Sequence, residues 1–194
     1  MTESEVPMAI LKVARLGHPV LRKTAKEVSK AEIKTAEFQT FLDDMVDTMR
    51  EYEGIGLAAP QVHRSQRVSV IELPEEGSAR YPNQPPTGLQ FFINPKVTIL
   101  TQDLGRYWEG CLSVPGMRGL VERPSKVKVD YLNREGKTAE FVADGFIATV
   151  VQHEFDHLDG VLYVDRLVSS KNFAFDQEFE RYWLPDAEDG ELPE

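Results

Sequence analysis

The pentapeptide His153-Glu154-Phe155-Asp156-His157 constrains this chain more than any other stretch. Its two imidazoles stand at positions i and i+4, so a helix here puts both on one face, close enough to grip a single metal ion. Glu154 then sits at the edge of that face, where a carboxylate can take up or release a proton. Spacing of the H-E-x-x-H kind belongs to hydrolytic metal centres. The flanks predict the helix itself: Asp144 as its cap, Gly145 to Leu158 as its body and Gly160 as its stop. Phe146, Val150, His153 and His157 share one face, and Ile147, Val151 and Leu158 form the neighbouring apolar stripe. The metal-type face therefore looks into the protein.

With 194 residues the chain is long enough to bury a core, and one domain spanning 1–194 is expected. No apolar run reaches the length of a membrane span, and the acidic N-terminus lacks a basic-then-apolar secretory pattern, which points to a cytoplasmic protein. The formal charge is -10, and residues 170–194 carry eight acids against only Lys171 and Arg181. That acidity argues against a nucleic-acid surface and against anionic lipid. Residues 184–194 are expected to be a frayed acidic tail. Cys111 is the single cysteine, so no internal disulfide can form.

The rest of the chain reads as one long helix, several strands and a last helix. From Ala31 to Glu53, the residues Phe38, Phe41, Leu42, Met45, Met49 and Tyr52 recur at steps of three and four, with Gly54 as a plausible stop. Arg67–Leu73 has strand character, Pro74–Gly88 that of an exposed loop, and Phe91–Leu100 strand character again, with Pro95 marking an edge or a bulge. Leu120–Arg123, Val127–Leu132 and Thr138–Val142 are further strands, the last two joined by the turn Asn133-Arg134-Glu135-Gly136. A final helix near Ser170–Trp183 is predicted to bury Phe175, Phe179 and Trp183. The fold class is α+β: mostly antiparallel strands around a central metal-binding helix, with a C-terminal helix.

Two imidazoles do not complete a catalytic metal site, which takes three protein ligands and keeps one position open. Cys111, His18, His63 and many carboxylates are candidates for the third. Given His153 and His157, Cys111 is favoured, and a nearby metal would deprotonate its thiol outright.

Three segments, Gly54–Gln61, Glu109–Ser113 and Gln152–His157, resemble in order the three signature motifs of peptide deformylases. The resemblance runs from about Arg15 to Leu167. It implies Cys111, His153 and His157 as metal ligands, Glu154 as catalytic acid/base and Gln61 as an oxyanion donor. The implied reaction removes the N-terminal formyl group from formyl-methionine of nascent peptides and releases formate. It proceeds by metal-activated water, with Glu154 as general acid/base. The tetrahedral oxyanion then needs donors, which the Gln61 side-chain amide and the Leu112 backbone N–H would provide.

Ile55, Phe146, Thr149 and Val150 match pocket positions by their places beside the motifs. Gly56 and its backbone could hold the peptide as an added strand. Arg118 either shapes the pocket or makes a surface salt bridge. One divalent metal ion is the implied cofactor: two imidazoles and a thiolate suit Fe(II), Zn(II), Ni(II) or Co(II), and the resemblance favours Fe(II). Formylated nascent peptides are the implied partners. Transient ribosome contact is an open expectation, because the C-terminal region is acidic where some bacterial deformylases dock through a basic helix. His18 reads as a turn residue, His63 and Trp108 as surface or packing residues, Asp156 as a ligand-orienting or ion-pairing residue, and Glu109 as a support for its loop. Two rival readings remain, a metalloprotease with a His, Glu or Asp third ligand and a non-catalytic module with a closed four-ligand site.

Overall fold

The computed structural model describes residues 9–73 and 86–183. Its core is organised by a strand buried on both faces. In β2 (Val68–Leu73), Val68 and Val70 face one way and Ile71 and Leu73 the other, and all four are buried. On the first side they meet Phe38, Leu42, Met45 and Met49 of helix α2 (Ala36–Glu51). On the second they meet Ile147, Val151, Phe155 and Leu158 of helix α3 (Phe146–Leu158).

Around β2 lies a five-stranded antiparallel sheet. Its other members are β1 (Gly56–Ala58), β3 (Gly88–Ile99), β6 (Lys126–Leu132) and β7 (Thr138–Asp144), in the order β1-β2-β3-β6-β7. A second antiparallel sheet joins β4 (Leu104–Cys111), β5 (Val114–Pro124) and β8 (Phe173–Phe175). Helix α3 packs against strands of both sheets, so its residues are seen from two layers. The expected α+β class, antiparallel strands around a central helix with a helix at the C-terminal end, is the observed one.

Several elements differ from expectation in instructive ways. The stretch 31–53 is two helices, a short α1 (Lys30–Ile33) and α2, because Thr35 turns out to be a cap: its side chain accepts a hydrogen bond from Phe38 N. At the far end, the left-handed residue is Glu53 (φ 53), and the N–H of Gly54 bonds back to Met49 O at 2.9 Å. Gly54 thus follows the turn and does not make it. Asp144 ends β7, ion-paired with Lys126 at 2.8 Å; the N-cap of α3 is Gly145, whose φ 60, ψ −130 suits glycine and which offers no side-chain cap.

The expected Ser170–Trp183 helix contains a 3₁₀ turn (Ser170–Asn172), then β8, and only then helix α4 (Asp176–Tyr182). Phe173 and Ala174 pair with Gly119 and Arg118 of β5, a long-range hydrogen-bonding opportunity that local periodicity does not carry. Phe175 is consequently 64% exposed, against expectation, and Phe179 and Trp183 are half-buried, each tilted against Trp108 with ring centroids 5.0 Å apart. Pro95 does mark an irregularity, a register shift of β3 against β6 between Ile93 and Lys96. Most of the expected 74–88 loop and the whole 184–194 tail lie outside the described residues. Among the described residues no helix is long and apolar enough to cross a membrane.

Helix α3 stops where expected. Gly160 takes φ +74, and a methyl there would lie 2.8 Å from the Arg22 carbonyl carbon. Gly160→Ala should therefore lower unfolding stability by about 1–3 kcal/mol, read from the midpoint of a urea titration. An unchanged midpoint would mean that the Arg22 segment yields without cost.

Candidate active site

Helix α3 and the β4–β5 hairpin meet at one point. The hairpin turns at Leu112-Ser113, with Cys111 paired to Val114 across it. This brings the Cys111 sulfur to 3.3 Å from His157 Nε2. Cys111, His153 and His157 offer donor atoms that all lie within 4.8 Å of one another. Around a tetrahedral cation with nitrogens at about 2.0–2.1 Å and sulfur at about 2.3 Å, neighbouring donors are about 3.3–3.7 Å apart. The observed sulfur–nitrogen separation fits that spacing. His18 and His63, the other imidazole candidates, instead pack edge-to-face on each other at 4.7 Å. His18 also caps a 3₁₀ turn through its Nδ1.

Behind the three donors stands a ladder of buried charge. Glu109 of β4 receives His153 Nδ1 at 2.7 Å on Oε2, and Arg123 Nε and Nη2 at 2.6 and 3.0 Å. Arg123 is 3% exposed and also reaches Asp156 at 2.7 Å, which in turn holds Arg166 through two bonds at 2.5 and 2.6 Å. Burial works against the Glu109 carboxylate, yet the bonds from His153 and Arg123 outweigh it and hold its pKa at about 2. Burial likewise opposes charge on His153, but Cys111 and Glu109 together draw its pKa well above the ordinary value. That spot attracts positive charge, which a cation on Nε2 would supply while Glu109 keeps the proton on Nδ1. His157 is held well below its ordinary pKa by burial and by the positive charges at His153 and Arg123, so its ring is neutral, the form that ligates.

Glu154 is 5% exposed, and burial pushes its pKa up to about 7. Its Oε2 is buried without a hydrogen-bond partner, a costly arrangement outside a reactive centre. Gly56 makes room for it: a methyl on Gly56 would lie 2.7 and 2.8 Å from Glu154 Cδ and Cγ. Gln61, 1% exposed, closes the other side. Its Oε1 accepts from Ala58 N at 2.8 Å, which points Nε2 at Cys111 Sγ (3.5 Å) and Ser113 Oγ (3.3 Å). The 3₁₀ turn Ala59–Val62 carries Gln61 directly off β1.

The site opens into a cleft of about 980 Å³. Its lining includes Ile55, Gly56, Gln61, Cys111, Leu112, Arg118, Phe146, Thr149, Val150, His153 and Glu154, so the six residues expected around the substrate are all there. His157 lies deeper, 1% exposed. Arg118 does both things expected of it in the alternative, lining the cleft and pairing with Asp176 at 2.9 Å.

Sequence reasoning expected a wrapping N-terminal segment over 10–30 but missed Arg123 and Ser113 as parts of the site. One clue to Arg123 was available: it shares strand parity with the buried Val121, and a charged residue on a buried face needs a partner. The wrapping N-terminal segment meets the site where Ala14 N donates to Gln61 O and Leu16 N to Ser113 O, both at 2.7 Å. Glu109, expected to brace its own loop, instead reaches across to α3.

Two imidazoles and a thiol around one point could hold a metal ion, and with an unpaired buried carboxylate beside them in an open cleft they suit a metal-dependent hydrolase. Residues 10–173 match the family described as polypeptide deformylase. The chain is 43% identical over 173 residues to a peptide deformylase of Leptospira biflexa serovar Patoc, covering 89% of this chain and 96% of that protein. It is 45% identical over 158 residues to that of Fusobacterium nucleatum, covering 81% and 84%. Among solved structures it resembles a Met-Ala-Ser-bound class I type b peptide deformylase from Acinetobacter baumannii, with TM-score 0.79 and 40% identity, covering 83% of this chain and 100% of that one. An actinonin complex from Synechococcus elongatus gives TM-score 0.73 at 36% identity, covering 93% of each chain. The chain belongs to the polypeptide deformylase family.

Two substitutions test the geometry. Glu109→Gln should weaken retention of a divalent cation by about 10–100-fold, measured by competition with a chelator. Unaltered retention would separate Glu109 from the centre. Gly56→Ala should displace Glu154 and cut hydrolysis by at least about tenfold while cation content stays whole. Normal turnover would show that the carboxylate tolerates the methyl.

Proposed function

We propose that this chain removes the N-terminal formyl group from formyl-methionine of nascent peptides, with Glu154 as general acid/base. The observation that carries this reading is the unpaired, buried Glu154 carboxylate in the same cleft as the three converging donors of Cys111, His153 and His157. A bound divalent cation held by those three, iron(II) before zinc, nickel or cobalt, supplies Lewis acidity toward water and the formyl oxygen.

The chain's own residues do the rest. Glu154 accepts a proton from water as the oxygen attacks the formyl carbon. It then delivers that proton to the amine nitrogen as the carbon–nitrogen bond breaks, leaving formate and a free N-terminus. Gln61 Nε2, aimed by the Ala58 N–H, and the backbone N–H of Leu112 in the hairpin turn donate to the oxyanion. A formyl group has no side chain and fits where a larger acyl group would not. The flexible methionine side chain suits the apolar wall of Ile55, Phe146 and Val150, with Thr149 beside it. The free edge of β1 at Gly56 can pair with the peptide as an added strand. The relative from Acinetobacter baumannii was solved with Met-Ala-Ser, the deformylated form of such a peptide.

The chain acts as one catalytic unit in the cytoplasm and meets nascent chains in transient contact with the ribosome. That contact would not use a basic C-terminal helix, since α4 bears Asp176, Glu178 and Glu180 against Arg181.

Anaerobic metal analysis paired with formate release from formyl-Met-Ala-Ser tests the proposal. Glu154→Ala should keep its metal and lose about 100- to 10,000-fold in kcat. Cys111→Ser should lose metal and activity together. A Glu154→Ala protein that releases formate at the wild-type rate would refute the mechanism, and cleavage at internal peptide bonds instead would favour a protease.

A further inference from the structure

Arg15 stands apart from every other described arginine. Ten of the eleven make an ion pair or, for Arg181, a cation–π contact; the Arg15 side chain makes neither. It is exposed, and it lines the active cleft together with Lys12, which is likewise without an ion pair. Four acids share this lining: Glu109 holds Arg123 and His153, Asp176 holds Arg118, Glu154 is enclosed, and the exposed Glu53 is not without a partner of its own and forms no ion pair with Arg15.

The backbone on either side of Arg15 is also anchored. The neighbours Ala14 and Leu16 donate backbone hydrogen bonds to Gln61 O and Ser113 O at 2.7 Å, which anchors this stretch to two segments of the site. In a chain of formal charge -10, with acids outnumbering bases 32 to 22, an unpaired guanidinium carried into the substrate cleft on an anchored stretch of backbone is a local exception. A guanidinium presents a planar fork of donors matched to a carboxylate, and the backbone that carries it is already in place.

We infer that Arg15, assisted by Lys12, receives a carboxylate side chain of the substrate peptide a few residues beyond the formyl-methionine. The cleft therefore selects Asp or Glu at one of the second to fourth positions. This rests on the deformylase reading above.

The test uses the metal-loaded full chain and formyl-Met peptides of four residues, with a single Glu or Gln placed in turn at positions two, three and four. Formate release should show kcat/KM higher for Glu than for Gln by about three- to tenfold at one of these positions. The preference should shrink as salt is raised, since the pair is exposed. Arg15→Met should bring the Glu peptide down to the Gln value, and Arg15→Glu should turn the preference toward a Lys peptide. Equal rates for Glu and Gln at all three positions, or a preference that survives Arg15→Met, would overturn the inference. Failure to release formate from any of these peptides would instead overturn the assigned activity.

Discussion

The carboxylate of Glu109 is the group on which the centre depends. It joins the β4–β5 hairpin to α3 by gripping His153 from one side and Arg123 from the other, all three being buried. Removing one member of such a pair strands a charge in a dry interior, a loss of about 3–5 kcal/mol. The same contacts fix which nitrogen of His153 carries its proton, and so which one faces Cys111 and His157. Structural cohesion and chemical competence are here one set of hydrogen bonds.

The other parts of the site are held by backbone. Gln61 is aimed by the Ala58 N–H, and both Gln61 and Ser113 are tied through their carbonyls to a single extended strap at residues 14–16. Cys111 owes its position to a tight hairpin turn. Glycine matters at Gly56 for space alone, since Glu154 lies where a side chain would start.

Much of this was legible in the chain. The i, i+4 imidazoles, the apolar stripe of Ile147, Val151 and Leu158, and the glycine stop at Gly160 are local features of α3, and a helix converts them directly into geometry. The long amphipathic segment carried the burial of Phe38, Met45 and Met49, but hid the cap at Thr35, because a short polar side chain can either continue a helix or begin one. Strand β8 was invisible. Its pairing with Gly119 lies more than fifty residues away along the chain, and Phe173-Ala174-Phe175 fits a helical stripe equally well.

By itself the sequence determined the chemistry on offer: two imidazoles on one helical face, a carboxylate at its edge, one thiol and an amide, in an order shared with a known family. Each follows from residue type and short-range spacing. Only the tertiary structure decided which atoms meet. The 3.3 Å between Cys111 Sγ and His157 Nε2, the burial of Arg123 against Glu109 and Asp156, and the solitary Arg15 at the cleft come from segments tens of residues apart. The physical reason is that periodicity fixes the face on which a side chain lies, whereas its partner is fixed by how two sheets close on a helix.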